Sequence, residues 1–336
     1  MTQHSRVALS ALDVAPVWTG SSASQSLRDT IALAQRLEEL DYVRFWVAEH
    51  HDLPSLATSA PAVLVAAVAG ATSTIRVGSG GVLLPNHPPL VVAEQFGTLE
   101  ALHPGRIDLG VGRAPGSVNP ETARLLRRGG QSDDEFRAQI AELNSYFAAG
   151  PGEPAPSPRS GVAGENRPPM VLLGSSPDSA RMAGALGLPY AYAHHINPTA
   201  TVESVAAYRE SFQPSLQFPT PHAIVAAAVF ADDTDEQARE LAAPMLVGQV
   251  RMRAGRMESL FPTPRQAADF TYTGAQREWA VDRLERQIWG SPERVRDKAT
   301  ELVRAADADE LMALTMVYDH ERRIHSYELL AETLRK

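Results

Sequence analysis

A closed (β/α)₈ barrel is the fold class predicted by this sequence, and three observations predict it. About eight short apolar runs recur along the 336 residues, mostly separated by helix-like stretches. Few of the runs alternate apolar with polar residues, so they read as strands buried on both faces. Polar and glycine-rich punctuation falls repeatedly just after the runs, where a parallel barrel carries its functional groups. Strands buried in this way and joined by helical crossovers form parallel sheets with right-handed connections. Eight such units fit a closed barrel; a doubly wound open sheet is the alternative.

The first run is VALSAL, 7–12. Ser26-Leu27-Arg28-Asp29 has the form of a capping box and opens a helix with Leu33, Leu37 and Leu40 on one face. The aromatic run 45–48 is the second strand, and Pro61 starts the helix after it. TIRVGSGGVLL (74–84) is a strand ending in glycines. PLVVAEQFGTLEAL (89–102) is helical, stopped by Pro104-Gly105, and RIDLGVG (106–112) is the fourth strand. Residues 131–149 read as a helix, and the proline- and glycine-rich 150–168 as an inserted loop. Strands follow at 170–174, 189–195, 223–231 and 310–317. A helix beginning at Ser291-Pro292 precedes the last of them, and a final helix closes the chain. Residues 244–290 do not fit the alternation and read as a second insertion, a lid or an oligomer contact on one barrel domain spanning 1–336.

Composition narrows the function. The balance of 31 basic and 40 acidic residues gives a net charge of −9, which argues against nucleic acid as a partner. The chain has no cysteine, which excludes disulfides, thiolate nucleophiles and cysteine-ligated metals. Neither a signal peptide nor an apolar run of membrane-spanning length is evident, so the expectation is a cytoplasmic protein with no membrane partner.

The unusual residues cluster after strands. Glu49-His50-His51 follow the second, and a histidine there suits acid–base or hydrogen-bonding work near neutral pH. Neighbouring strand residues point to opposite faces, so His50 and His51 rarely share a ligand, whereas Glu49 and His51 can share a face. A metal-dependent hydrolase is the minor alternative, and no metal is expected. Gly80 and Gly81, within Gly78-Ser79-Gly80-Gly81, let a flat ligand approach the backbone or else form a bulge. Arg113 after the fourth strand and Ser175, Ser176 and Ser179 after the fifth read either as a phosphate grip or as a surface arginine and an ordinary helix cap. Tyr192 and His194 after the sixth are candidates for the substrate wall.

Glu-His-His after the second strand, then GSGGVLLPNHPP and AEQFGTLEALHPGRIDLGVGRAPG, together with SPERVRDKATELVRAADADELMALTMVYDHERRIHSYELLAE at the end, resemble the bacterial-luciferase-like flavin-dependent monooxygenases. The resemblance covers nearly the whole chain and is most specific over 44–116. It implies a (β/α)₈ barrel with insertions, commonly a homodimer, using reduced FMN from a separate flavin reductase. It implies oxidation of a small organic substrate by O₂ through a flavin C4a-peroxide, without implying light emission. It places the catalytic histidine at His50, with Glu49 beside the cofactor and a non-proline cis peptide at Gly80-Gly81 beneath the flavin ring. Arg113 matches the phosphate-binding arginine, and Ser175, Ser176 and Ser179 match the second phosphate contact. Ser175 stands where luciferase itself has glutamate, a departure that suits a dianion better. The same fold also serves deazaflavin-dependent hydride transfer, and a flavin-binding barrel without turnover is the third reading.

Overall fold

The computed structural model describes residues 7–117, 119–126, 132–147, 160–215 and 217–335. Nine strands are seen among them: β1 (Ala8–Asp13), β2 (Arg44–Val47), β3 (Arg76–Leu83), β4 (Ile107–Gly112), β5 (Met170–Gly174), β6 (Tyr190–Tyr192), β7 (Ala223–Ala231), β8 (Ile288–Gly290) and β9 (Glu310–Leu314). Every strand pairing is parallel. β1 to β7 pair in chain order, β7 pairs with β9, and β9 returns to β1. The result is a closed eight-stranded barrel ringed by helices. The ninth strand, β8, pairs only with the far half of β7. A wholly parallel sheet needs such crossovers, and eight of them bend the sheet until its edges meet.

Alternation along the strands sorts the core into two compartments. On β2, Phe45 and Val47 face the helices, while Trp46 and the following Ala48 face the barrel interior. On β7, Val225, Ala227 and Val229 face outward and Ile224, Ala226, Ala228 and Phe230 inward. The outer layer is the larger core and is filled by Leu, Val and aromatic side chains. The inner compartment differs towards the C-terminal ends of the strands. There Ala48, Gly80, Gly112, Ala191, Ala226 and Ala228 stand where barrels commonly carry bulky branched residues. Small residues on this many strands leave the upper half of the barrel hollow.

The lower end is plugged by charge. Asp108 receives hydrogen bonds from Arg44 Nη1 (2.8 Å), Arg76 Nη2 (2.6 Å) and the Trp46 indole (3.0 Å). Arg44 Nε also donates to Glu310 (2.9 Å), which Ser10 and His222 contact from the other side. The side chains of Asp108 and Glu310 are essentially solvent-free, at 0% and 1% exposure. A second buried pair, Arg323 Nη2 to Asp13 Oδ1 at 2.7 Å, ties the helix His320–Arg335 to β1.

Two local expectations are corrected. The first helix spans Ala23–Glu39 with Ser22 as its cap, not Ser26. Ser26 is buried within that helix and donates to Pro16 O at 2.8 Å. β6 ends at Tyr192 rather than 195, because residues 193–195 turn away. The stretch 244–290, expected to break the strand–helix alternation, contains a strand as well as helices. It comprises most of the helix Asp235–Arg253, the helices Pro264–Ala268 and Gly274–Glu285, and β8. The predicted helix at 131–149 is observed as Asp133–Tyr146. The first residue and the last two residues of that expectation, and most of the loop 150–168, lie outside the described residues. Among the described residues no helix is long and apolar enough to cross a membrane.

Candidate active site

The hollow upper barrel opens as a cavity of about 880 Å³ at the C-terminal ends of the strands. His50, Gly80, Gly81, Arg113, Ser175, Ser176 and Ser179 all line it. The parity that puts Trp46 and Ala48 inside the barrel carries on to His50. Its backbone N–H donates to Thr58 O at 2.7 Å, and its Nδ1 lies 3.4 Å from Thr58 Oγ1. Loss of water around the ring lowers its pKa to about 4, against a smaller upward pull from Glu49, so the imidazole is neutral at pH 7.

Glu49 and His51 take the opposite parity and do share a face. Glu49 borders the cavity, yet both of its oxygens are engaged by protein. Oε1 accepts from His51 Nε2 and His87 Nε2, each at 2.8 Å, and Oε2 accepts from Leu83 N at 3.0 Å. Burial pushes this carboxyl up, but the two imidazoles and the amide outweigh it and hold the pKa at about 2. Its carboxylate is thus a strut joining the ends of β2 and β3 at the border of the cavity. His87 was not singled out from the sequence. It lies within GVLLPNHPP, but no local pattern announces a contact spanning 38 residues.

Gly80-Gly81 is a cis peptide and marks a shift of register between β3 and β4. A Cβ on Gly81 would lie 2.8 Å from Gly110 O, and one on Gly80 would lie 2.6 Å from Leu12 Cδ1. The backbone here is pressed against its neighbours at the floor of the cavity, and side chains would crowd it.

At one end of the cavity Arg113 extends from the end of β4, half exposed and paired with Asp133. Ser176 caps the helix Pro177–Ala185 in a reciprocal box with Ser179. Ser179 Oγ also donates to Ser176 O (2.8 Å) and lies 2.9 Å from the Tyr190 hydroxyl. A guanidinium thus stands beside the amide-rich start of a helix, a donor set suited to a phosphate.

The sixth strand reverses one expectation. Tyr190 and Tyr192 belong to the outer layer and Ala191 to the interior, and the turn after β6 places His195, not His194, on the cavity. His194 is locked in the surrounding protein, with Nδ1 2.7 Å from Thr201 Oγ1 and Nε2 2.7 Å from Arg286 O. Tyr192 reaches the rim but donates its hydroxyl to Asn197 O at 2.6 Å. His195 Nδ1 donates to Ala226 O at 2.9 Å, which leaves Nε2 as an acceptor. Loss of water is the main cause that lowers its pKa to about 4. Met245, Met252 and Phe261, from the region read as an insertion, complete the wall with Met312 and Met316.

The family model for luciferase-like monooxygenases matches residues 6–309. The chain belongs to the luciferase-like monooxygenase family. This family member is 41% identical over 324 residues to a luciferase-like monooxygenase of Escherichia coli strain K12, covering 96% of each chain. It is 33% identical over 334 residues to the N-acetyl-S-alkylcysteine monooxygenase of Bacillus subtilis, covering 98% of each. The crystal structure of apo-MsnO8 superposes with a TM-score of 0.89 at 40% identity, over 99% of both chains. More distant structures share the fold. One is the oxygenating constituent of 3,6-diketocamphane monooxygenase from the CAM plasmid of Pseudomonas putida, in complex with FMN (TM-score 0.73, 20% identity, 99% of each chain). Another is an F420-dependent secondary alcohol dehydrogenase (TM-score 0.65, 15% identity, 99% and 100% of the chains).

Two neutral imidazoles in one cavity predict that the protein loses stability in acid. Both rings are held near 4, below the ordinary value of 6.5. Between about pH 6.5 and 4 the unfolded chain therefore binds protons that the native protein refuses. Stability is full above that window and falls as pH drops through it, by about 3 kcal/mol for each ring at 1.36 kcal/mol per unit. Urea midpoints measured from pH 7.5 down to 4.5 should fall steadily, and His195→Asn should flatten the slope. A midpoint independent of pH would contradict the burial argument.

Proposed function

We propose that this cavity binds reduced FMN and that the protein uses it with O₂ to oxygenate a small organic molecule. The observation that carries the reading is the cavity itself. It joins a glycine floor at Gly80-Gly81, a guanidinium beside a helix N-terminus, and a neutral histidine. Its volume, about 880 Å³, lies in the upper range for ligand sites and has room for a cofactor and a substrate together. Structures of the same fold include an FMN-bound monooxygenase component and an F420-dependent dehydrogenase, so the choice between the two cofactors is tested below.

Arg113 and the hydroxyls and amides of Ser175, Ser176 and Ser179 would hold the phosphate, with Asp133 orienting the guanidinium. Gly80 and Gly81 would back the flat ring. Bound there, the reduced flavin supplies the electrons that activate dioxygen. His50, neutral and with its backbone anchored to Thr58, would hold or move a proton at the reacting end. The methionine and phenylalanine side chains of the wall would keep water out, which protects oxygen chemistry from wasteful discharge.

Fluorescence titration with FMN and with riboflavin tests the assignment. The parent should prefer FMN, and Arg113→Ala should remove about 10–100-fold of FMN affinity while leaving riboflavin unaffected, as expected for a charge-assisted phosphate contact. Equal binding of the two by the parent would reject the phosphate site. Incorporation of labelled dioxygen into product, with NADH, FMN and a flavin reductase present, tests the reaction class. Tight binding of oxidised deazaflavin, with no affinity for FMN, would instead select hydride transfer.

A further inference from the structure

Arg283, Gln287 and Gln249 also line the cavity. Gln249 lies on the helix Asp235–Arg253, Arg283 on the helix Gly274–Glu285, and Gln287 just beyond it. We propose that Arg283 and Gln287 recognise a carboxylate on the substrate, so that this enzyme acts on small monoanionic carboxylates with an apolar body. The proposal rests on the flavin-monooxygenase reading of the same cavity and names its substrate class.

Arg283 carries an uncompensated charge. A guanidinium has five N–H donors. Three of them go to neutral acceptors: Nη2 to His195 O, Nη1 to Ile196 O (3.2 Å) and Nε to Gln249 Oε1 (3.4 Å). One N–H on each Nη remains, on a side chain that lines the cavity. Among the described residues no carboxylate pairs with it, although the chain has 40 acidic residues to draw on. Its strongest charged neighbour is another cation, Arg253, which stacks over Trp279 at 4.9 Å. A guanidinium kept partly dry beside a second cation and without an anion is a site awaiting negative charge.

Gln287 supplies an independent observation. It is 2% exposed and lines the cavity. Its Oε1 accepts from Ala228 N at 3.0 Å, which fixes the amide, and its Nε2 is buried without a hydrogen-bond partner. Buried polar groups are nearly always satisfied, so an orphaned donor on a residue of the cavity wall points to an acceptor on a ligand. A carboxylate can accept from both side chains. One guanidinium and one neutral amide match a single negative charge better than a dianion. The body of the ligand would lie against Met245, Met252, Met312 and Phe261, which are soft and adaptable to chain shape.

Calorimetric titration of the full-length protein with hexanoate and hexanamide tests this, with FMN binding followed in parallel by flavin fluorescence. The parent should bind hexanoate at least about tenfold more tightly than hexanamide, and Arg283→Gln should bring the two within about twofold. Gln287→Leu should weaken hexanoate binding several-fold, and Arg283→Lys should keep part of the preference. FMN affinity should be unchanged in all three, because neither Arg283 nor Gln287 is among the groups assigned to the phosphate. Equal binding of the two probes by the parent, no hexanoate binding, or a preference surviving Arg283→Gln overturns the proposal. Should Arg283→Gln fail to fold, Gln287→Leu and Arg283→Lys decide by the same readout. Loss of FMN binding by the parent with the hexanoate preference intact would reject the flavin reading and leave the carboxylate site standing.

Discussion

Replacing His50 by alanine is expected to lower turnover by about 10²–10⁴-fold, the usual range for a positioned proton-transfer group, while FMN affinity stays within about twofold. Alternation along β2 aims this ring into the barrel, and the hydrogen bond from its backbone N–H to Thr58 O fixes where it starts. A ring held near a pKa of about 4 is an uncharged donor and acceptor at pH 7, not an electrostatic partner for an anion. The activity of the parent should therefore be flat above about pH 6 and fall on the acid side as the ring becomes charged. His50→Gln keeps a neutral hydrogen-bonding group of similar reach and should recover part of the loss. Steady-state kinetics with a coupled reductase measures all of this. An alanine variant that turns over like the parent would make His50 structural and favour a flavin-binding barrel without His50-dependent chemistry.

The second large effect concerns stability rather than chemistry. Asp108→Ala should destabilise the protein by about 3–5 kcal/mol, the range for breaking a buried ion pair from one side. Asp108 is the shared anion of Arg44 and Arg76 and also accepts from the Trp46 indole. Removing it leaves two guanidinium groups and an indole N–H facing one another at the closed end of the barrel. Arg44 retains Glu310, so the loss falls mainly on Arg76 and Trp46. Asp108→Asn keeps the shape and part of the hydrogen bonding and should lose less. Equilibrium urea unfolding reads both. A loss below about 1 kcal/mol for the alanine variant would mean that solvent reaches the plug, contrary to the burial of its carboxylates.

Much of this architecture was legible from local chemistry. Apolar runs with few polar interruptions announced strands covered on both sides, and their number announced closure. Seven anticipated residues, His50, Gly80, Gly81, Arg113, Ser175, Ser176 and Ser179, converge on one cavity because each lies in the C-terminal half of a strand or just after one, and all parallel strands end on the same rim. Glu49, His87, His194 and His195 show where that reasoning stops. Parity could not have separated His195 from His194, since β6 ends at Tyr192 and both lie in the turn that follows. Nothing local could have shown that His87 would close on Glu49 from the other side of His51, or that Ser26 would face Pro16 O from inside a helix.

What the sequence determined by itself was the repeating strand–helix order, the barrel it closes into, and which residues stand at the strand tips. Periodicity and punctuation act over a few residues, so one chain read linearly suffices for them. Only the tertiary structure decided which tips face inward with free atoms, and which are engaged by partners far along the chain. It also showed that small residues on different strands coincide in height to leave a cavity, and that Arg283 and Gln287 reach it from a region that looked like an insertion. Those outcomes depend on contacts across the barrel, where distance along the chain carries no information about distance in space.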